Sequence, residues 1–105
     1  MILFHSHADR EFIDTPYPGV RTCSVWSDGD EGAYFTQFKA GARFPLHDHQ
    51  GPESNYLISG NVRFGDMNML PGDFAQLGSG DLHAAHAQTD SLLYTVYRGA
   101  LLIQE

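Results

Sequence analysis

No stretch of this sequence sustains an apolar repeat at helical spacing for three or four turns. Instead, glycine and proline, 11 and 5 in number, interrupt it every few residues. Short runs rich in β-branched and aromatic residues lie between the interruptions, which is the composition of strands on a pleated, half-buried surface. The runs are Glu11–Ile13, Val20–Trp26, Ala33–Lys39, Arg43–Leu46, Ser54–Ser59, Asn61–Phe64, Phe74–Leu77, Leu92–Tyr97 and Ala100–Ile103. Turn signals such as Tyr17-Pro18-Gly19, Asp28-Gly29-Asp30, Ser59-Gly60-Asn61, Pro71-Gly72-Asp73 and Gly78-Ser79-Gly80 separate most of them. Gly99 alone divides the last pair, which reads equally well as one bulged strand. Many short strands at near-regular spacing predict an all-β sandwich or closed barrel. The chain has 105 residues, room for one domain over 1–105.

Charge and cysteine content narrow the function classes. The formal net charge is −7, and the six basic residues (Arg10, Arg21, Lys39, Arg43, Arg63 and Arg98) are scattered along the chain. No stripe exists to neutralise phosphates, so neither nucleic acid nor an anionic membrane is an expected partner. The single cysteine, Cys23, excludes an intrachain disulfide and reads as a small buried hydrophobe on its strand. No apolar run approaches signal-peptide or membrane-span length, and the expected location is the cytoplasm.

The chemistry concentrates in the histidines. His47 and His49 are two apart in a segment of strand character, so both imidazoles project from one face. Gln50-Gly51-Pro52 then breaks the strand, and Glu53 opens the next one, where its carboxylate can turn back toward the same space. His83 follows the Gly78-Ser79-Gly80 turn and comes from another part of the sheet. A His-x-His pair alone is a weak signal, equally read as two strand histidines without an ion. Three imidazoles with one carboxylate suit Fe(II), Mn(II), Ni(II), Co(II) or Zn(II) rather than a soft metal. Four protein ligands on a six-coordinate ion leave open positions, the mark of a reactive or ligand-binding site.

Residues 41–60 read Gly-Ala-Arg-Phe-Pro-Leu-His-Asp-His-Gln-Gly-Pro-Glu-Ser-Asn-Tyr-Leu-Ile-Ser-Gly. This is similar to the first cupin motif, G-x5-H-x-H-x3-E-x6-G, at Gly41, His47, His49, Glu53 and Gly60. Residues 72–87 resemble the second motif, G-x5-P-x-G-x2-H-x3-N, through Gly72, Gly80 and His83. Gly78 stands where that pattern has proline, and Ala87 where it has asparagine. The resemblance implies a double-stranded β-helix, or jelly-roll, barrel in one domain, with His47, His49, Glu53 and His83 as metal ligands. The short chain and the run from Pro71-Gly72-Asp73-Phe74 to Leu82-His83 look like the small single-domain cupins, a branch with diketone- and hydroxyacetophenone-cleaving dioxygenases and the cupin domain of a zinc-binding anti-sigma factor. It also implies a homodimer, with residues 1–19 as an edge strand or dimer arm.

The expected function is metal-dependent dioxygenation, with Fe(II) favoured, of a small anionic or enolisable substrate such as a dicarbonyl. The alternatives are non-redox metal catalysis (isomerase, cyclase or decarboxylase) and a non-catalytic metal- or ligand-binding module. His86 and Tyr97 are the candidate catalytic side chains beyond the ligand set. His86, three residues past His83, faces away from it on a regular strand and reaches the ion only across a bulge. Tyr94 and Tyr97 have opposite parity, so at most one enters the pocket. Asn55 and Leu57 should share the face of Glu53, and Tyr56 should oppose it. His5 and His7 precede the barrel and are expected to lie outside the site.

Overall fold

The computed structural model describes residues 1–99 and 101–103, with the backbone alone for His49 and for 101–103. Ala100, predicted to begin the last strand, lies outside the described residues. After a 3-10 turn at His7–Asp9 come β1 (Ile13–Asp14), β2 (Val20–Asp28), β3 (Glu31–Phe38), β4 (Arg43–His49) and β5 (Glu53–Ser59). They are followed by β6 (Val62–Phe64), β7 (Met67–Met69), β8 (Phe74–Leu77), β9 (His83–Ala87), β10 (Ser91–Arg98) and β11 (Leu101–Ile103). Two sheets form, ordered β1-β2-β3-β10-β5-β8 and β11-β4-β9-β6-β7, with every pairing antiparallel. This is the predicted jelly roll. The described residues contain no helix long and apolar enough to cross a membrane.

The predicted turns fall where the strands end, and backbone geometry explains two of the glycines. Gly60 has φ 92°, and a side chain there would meet the Ser91 hydroxyl and the Asp90 carbonyl. Gly80, at φ 91°, lets the chain reverse just ahead of β9. Two strands were not among the predicted runs, β7 and β9. The second of them, His83-Ala84-Ala85-His86-Ala87, lacks both β-branched and aromatic residues. Its strand state comes from the ladders made by β4 and β6 on either side.

Inward-facing residues change character along each strand, and that change places the site. The core cluster comprises Val20, Phe38, Ala42, Leu57, Val62, Phe64, Met69, Ala85, Ala87 and Leu93. Moving along β5 from Leu57, the inward residues become Asn55 and Glu53; along β10 from Leu93 they become Thr95 and Tyr97. Register aligns these steps, pairing Leu93 with Leu57, Thr95 with Asn55 and Tyr97 with Glu53. On β9 the same step runs from Ala87 and Ala85 to His83. The barrel therefore has an apolar end that holds the sheets together and a polar end able to do chemistry. Cys23 is buried, as expected.

Candidate metal centre

His47 on β4 and His83 on β9 stand directly opposite one another in register, while Glu53 opens β5 in the facing sheet. All three are nearly inaccessible, at 4%, 6% and 4% exposure in that order. His47 Nε2 is 4.0 Å from Glu53 Oε2, and His83 Nε2 is 3.5 Å from Glu53 Oε1. The two imidazole centroids are 4.0 Å apart. One donor atom from each residue lies within 4.8 Å of the others. Donors each about 2.1 Å from a shared ion are separated by about 3–4 Å, so this trio fits a divalent metal.

The local chain prepares both histidines for that role. His47 Nδ1 donates to the Pro45 carbonyl at 3.0 Å, and His83 Nδ1 donates to the Asp81 carbonyl, also at 3.0 Å. With the proton held on Nδ1, the Nε2 lone pair of each ring faces the shared space, as a metal ligand requires. Phe44 packs edge-on to His47 at 5.0 Å between centroids, and Phe64 packs edge-on to His83 at 5.2 Å. These contacts limit ring rotation. The turn before His83 is tied twice: Gly78 N–H donates to Asp81 Oδ2 and Gly80 N–H donates to Asp48 Oδ1, both at 2.8 Å. Proline at position 78 has no such N–H to donate, so the glycine found there gains a tether in place of a rigid ring. Ala87, at the other departure from the motif, is fully buried in the core.

Electrostatics bias the metal-free trio toward an ion pair. Burial alone would raise the Glu53 pKa, but hydrogen bonds from His83 and Asn55 and the charge of both imidazoles bring it below the ordinary carboxylate value. Burial alone would lower His83, yet the Glu53 hydrogen bond, the Asp81 carbonyl and the charges of Glu53 and Asp48 lift it above the ordinary imidazole value. A polar chain leads away from the carboxylate. Asn55 Nδ2 donates to Glu53 Oε1 at 3.1 Å, and Thr95 Oγ1 donates to Asn55 Oδ1 at 2.8 Å. Burial and, next, the Glu53 charge push the Tyr34 phenol well above its ordinary pKa, so it stays protonated.

The site opens on a cavity of about 540 Å³ whose lining includes His47, Glu53, Tyr34, Tyr97, Phe38 and Phe44. Of the candidate catalytic side chains, Tyr97 lies on this lining, with its ring 5.7 Å from that of Tyr34. Tyr94 faces the other way and packs on Phe35 at 4.9 Å. His86 is on the outward side of β9, in a separate groove, and is not brought together with the trio. His5 and His7 are likewise outside the cluster. The backbone of His49 continues β4, but its side chain, and with it the predicted fourth ligand, lies outside the described residues. Asn55 and Leu57 are buried beside Glu53 and Tyr56 is exposed, as parity predicts. Thr95 and Tyr34 were not singled out from the sequence. Their only signal is strand parity combined with the β3–β10–β5 pairing, which no local pattern gives.

A family model described as the ChrR cupin-like domain matches residues 3–102. No curated protein matches the sequence. Among solved structures, the acetylacetone dioxygenase from Acinetobacter johnsonii is similar at TM-score 0.86 and 19% identity, over 100% of this chain and 78% of that one. The anti-sigma factor ChrR, in complex with SigE from Rhodobacter sphaeroides, gives TM-score 0.75 and 22% identity over 87% of this chain and 50% of that one. The polyketide cyclase RemF from Streptomyces resistomycificus gives 0.75 and 15%, over 100% and 87%. At these identities the likeness is one of fold.

Proposed function

This chain belongs to the ChrR cupin-like domain family, and from that premise we propose that it is a metal-dependent dioxygenase using Fe(II) on a small chelating dicarbonyl or enol. The observation that carries the proposal is the convergence of His47, Glu53 and His83, the first two of them on the wall of a cavity large enough for such a substrate. His49 completes the proposed ligand set. The ion, when bound, would supply a Lewis-acid and redox centre that favours anionic oxygen ligands. The likeness to acetylacetone dioxygenase supports this chemistry over that of the other neighbours.

The chain's own residues have separable tasks. Asn55 orients the Glu53 carboxylate by donating to Oε1, and Thr95 holds Asn55 in place by donating to its carbonyl. Phe38 and Phe44 give the cavity apolar walls that keep water from the reacting carbons. Tyr34, protonated throughout the working range, and Tyr97 present phenols to a substrate oxygen in the same space. Gly32 makes room for the second of these, since a side chain there would begin 2.8 Å from the Tyr97 hydroxyl.

The test is oxygen consumption by protein reconstituted anaerobically with Fe(II) and then given a panel of 1,3-dicarbonyl compounds. Uptake dependent on both Fe(II) and a dicarbonyl is expected. The absence of uptake across the panel by iron-replete protein would overturn the dioxygenase reading.

A further inference from the structure

A second site stands on the outside of the five-stranded sheet, and it takes in the one candidate histidine that the metal centre leaves unused. In the β4–β9–β6 ladder, His86 pairs in register with Arg43 on one side and Arg63 on the other. The three side chains lie in a row across adjacent strands and line one groove of about 600 Å³, walled in part by Tyr17 and Pro45. Two of only six Lys and Arg residues thus meet on one face of a chain with net charge −7.

These two arginines differ from their counterparts. Arg21 pairs with Asp14, Arg98 pairs with Glu31, and Arg10 lies over the Phe35 ring. Lys39 sits in the connection between β3 and β4. Among the described residues no ion pair or hydrogen bond engages the guanidinium of Arg43 or Arg63. Two guanidinium groups that line one groove with no carboxylate paired to either repel each other, and an anion held between them would relieve that repulsion. His86 is prepared as a third donor. The Gln88 amide donates to its Nδ1 at 3.2 Å, which leaves the proton of the neutral ring on Nε2.

We propose that Arg43, Arg63 and His86 form a binding site for a small oxyanion, of phosphate or carboxylate type, on the outer wall of the barrel. The size follows from the ladder. Arg43 and Arg63 are two strands apart, about 10 Å between backbones, so two arginine side chains can converge on one group above His86. An extended polyanion would need a longer basic row, and the remaining cations are engaged elsewhere or lie off this ladder. The site is independent of the metal centre, although β4 and β9 carry residues of both.

Isothermal titration of the protein as purified with inorganic phosphate, at fixed ionic strength set with chloride, tests the proposal. Acetate and citrate in parallel titrations distinguish a carboxylate preference from a phosphate one. One-site saturable binding of at least one of these anions is expected, weakened about tenfold or more by Arg43→Gln and by Arg63→Gln, which each remove a charged bidentate contact. Arg63→Lys, which keeps the charge and loses the fork, should bind with intermediate affinity. His86→Gln checks the site without altering either guanidinium. All three positions are on the surface face, and unchanged thermal midpoints would verify that the four variants fold. No saturable binding of any of the anions at millimolar concentration would overturn the proposal. So would binding that both Arg→Gln variants retain in full, because that would place the anion elsewhere, including at the metal.

Discussion

At the scale of single residues, the account depends on how the chain holds three donor atoms before any ion arrives. Asn55 is the clearest supporting case, because its amide touches Glu53 and its carbonyl accepts from Thr95. Asn55→Leu removes the first contact and leaves Thr95 without its buried partner. Metal affinity should fall about tenfold or more, as for other residues that orient a ligand, measured by competition with a chromophoric chelator. The shifted pKa values set a pH dependence. In metal-free protein the lowered Glu53 contributes stability present above the ordinary carboxylate pKa and lost as pH falls through its lowered value. The raised His83 contributes stability present below the ordinary imidazole pKa and lost as pH rises through its raised value. Chelator-treated protein should therefore melt highest between about pH 4.3 and 6.5, the ordinary values of the two groups. Metal affinity should instead rise with pH as His83 gives up its proton. A melting temperature of metal-free protein that climbs steadily above neutrality would contradict the ion-pair assignment.

At the scale of strands and turns, much was legible in the sequence and the remainder was non-local. Turn residues such as Gly60 and the Pro71-Gly72-Asp73 run are local chemistry, and β5, β6 and β8, which they bound, were predicted to within a few residues. Parity on β5 likewise sorted Glu53, Asn55 and Leu57 from Tyr56. The strand β9 escaped because its alanines carry no strand preference of their own. The Arg43–His86–Arg63 row escaped because basic residues scattered in sequence become neighbours only once β4, β9 and β6 are adjacent. Two changes probe this level. Leu57→Ala, at a fully buried core position, should cost about 2–5 kcal/mol of unfolding free energy in denaturant titration. Gly60→Ala should also destabilise, by more than the roughly 1 kcal/mol that a compatible glycine replacement gains, because φ is positive and the new side chain meets Ser91 and Asp90. Wild-type stability in the second variant would show that this turn does not demand glycine.

At the scale of the whole molecule, the barrel divides its labour lengthwise, with an apolar end for stability and a polar end for the site. Its outer surface is not uniformly polar. Tyr56 and Phe74 are register partners on the six-stranded sheet and both are exposed, with Val96 exposed on the neighbouring β10. Residues Met1 to Phe4 are also exposed and apolar. The short β1 covers the edge of its own sheet by pairing Ile13 with Thr22, so the arm expected to reach a partner starts before it. We expect a homodimer that covers these apolar residues. Light scattering at micromolar concentration should give twice the chain mass, falling to the monomer value for Phe74→Glu. A monomeric wild type would contradict the expectation.

The central claim is that His47, Glu53 and His83 hold one divalent metal, and elemental analysis of protein purified without added metal tests it most directly. The account predicts close to one transition-metal ion per chain in the wild type and only a small fraction of that in folded His83→Ala. A folded wild type free of metal, or a folded His83→Ala that keeps its full complement, would contradict it.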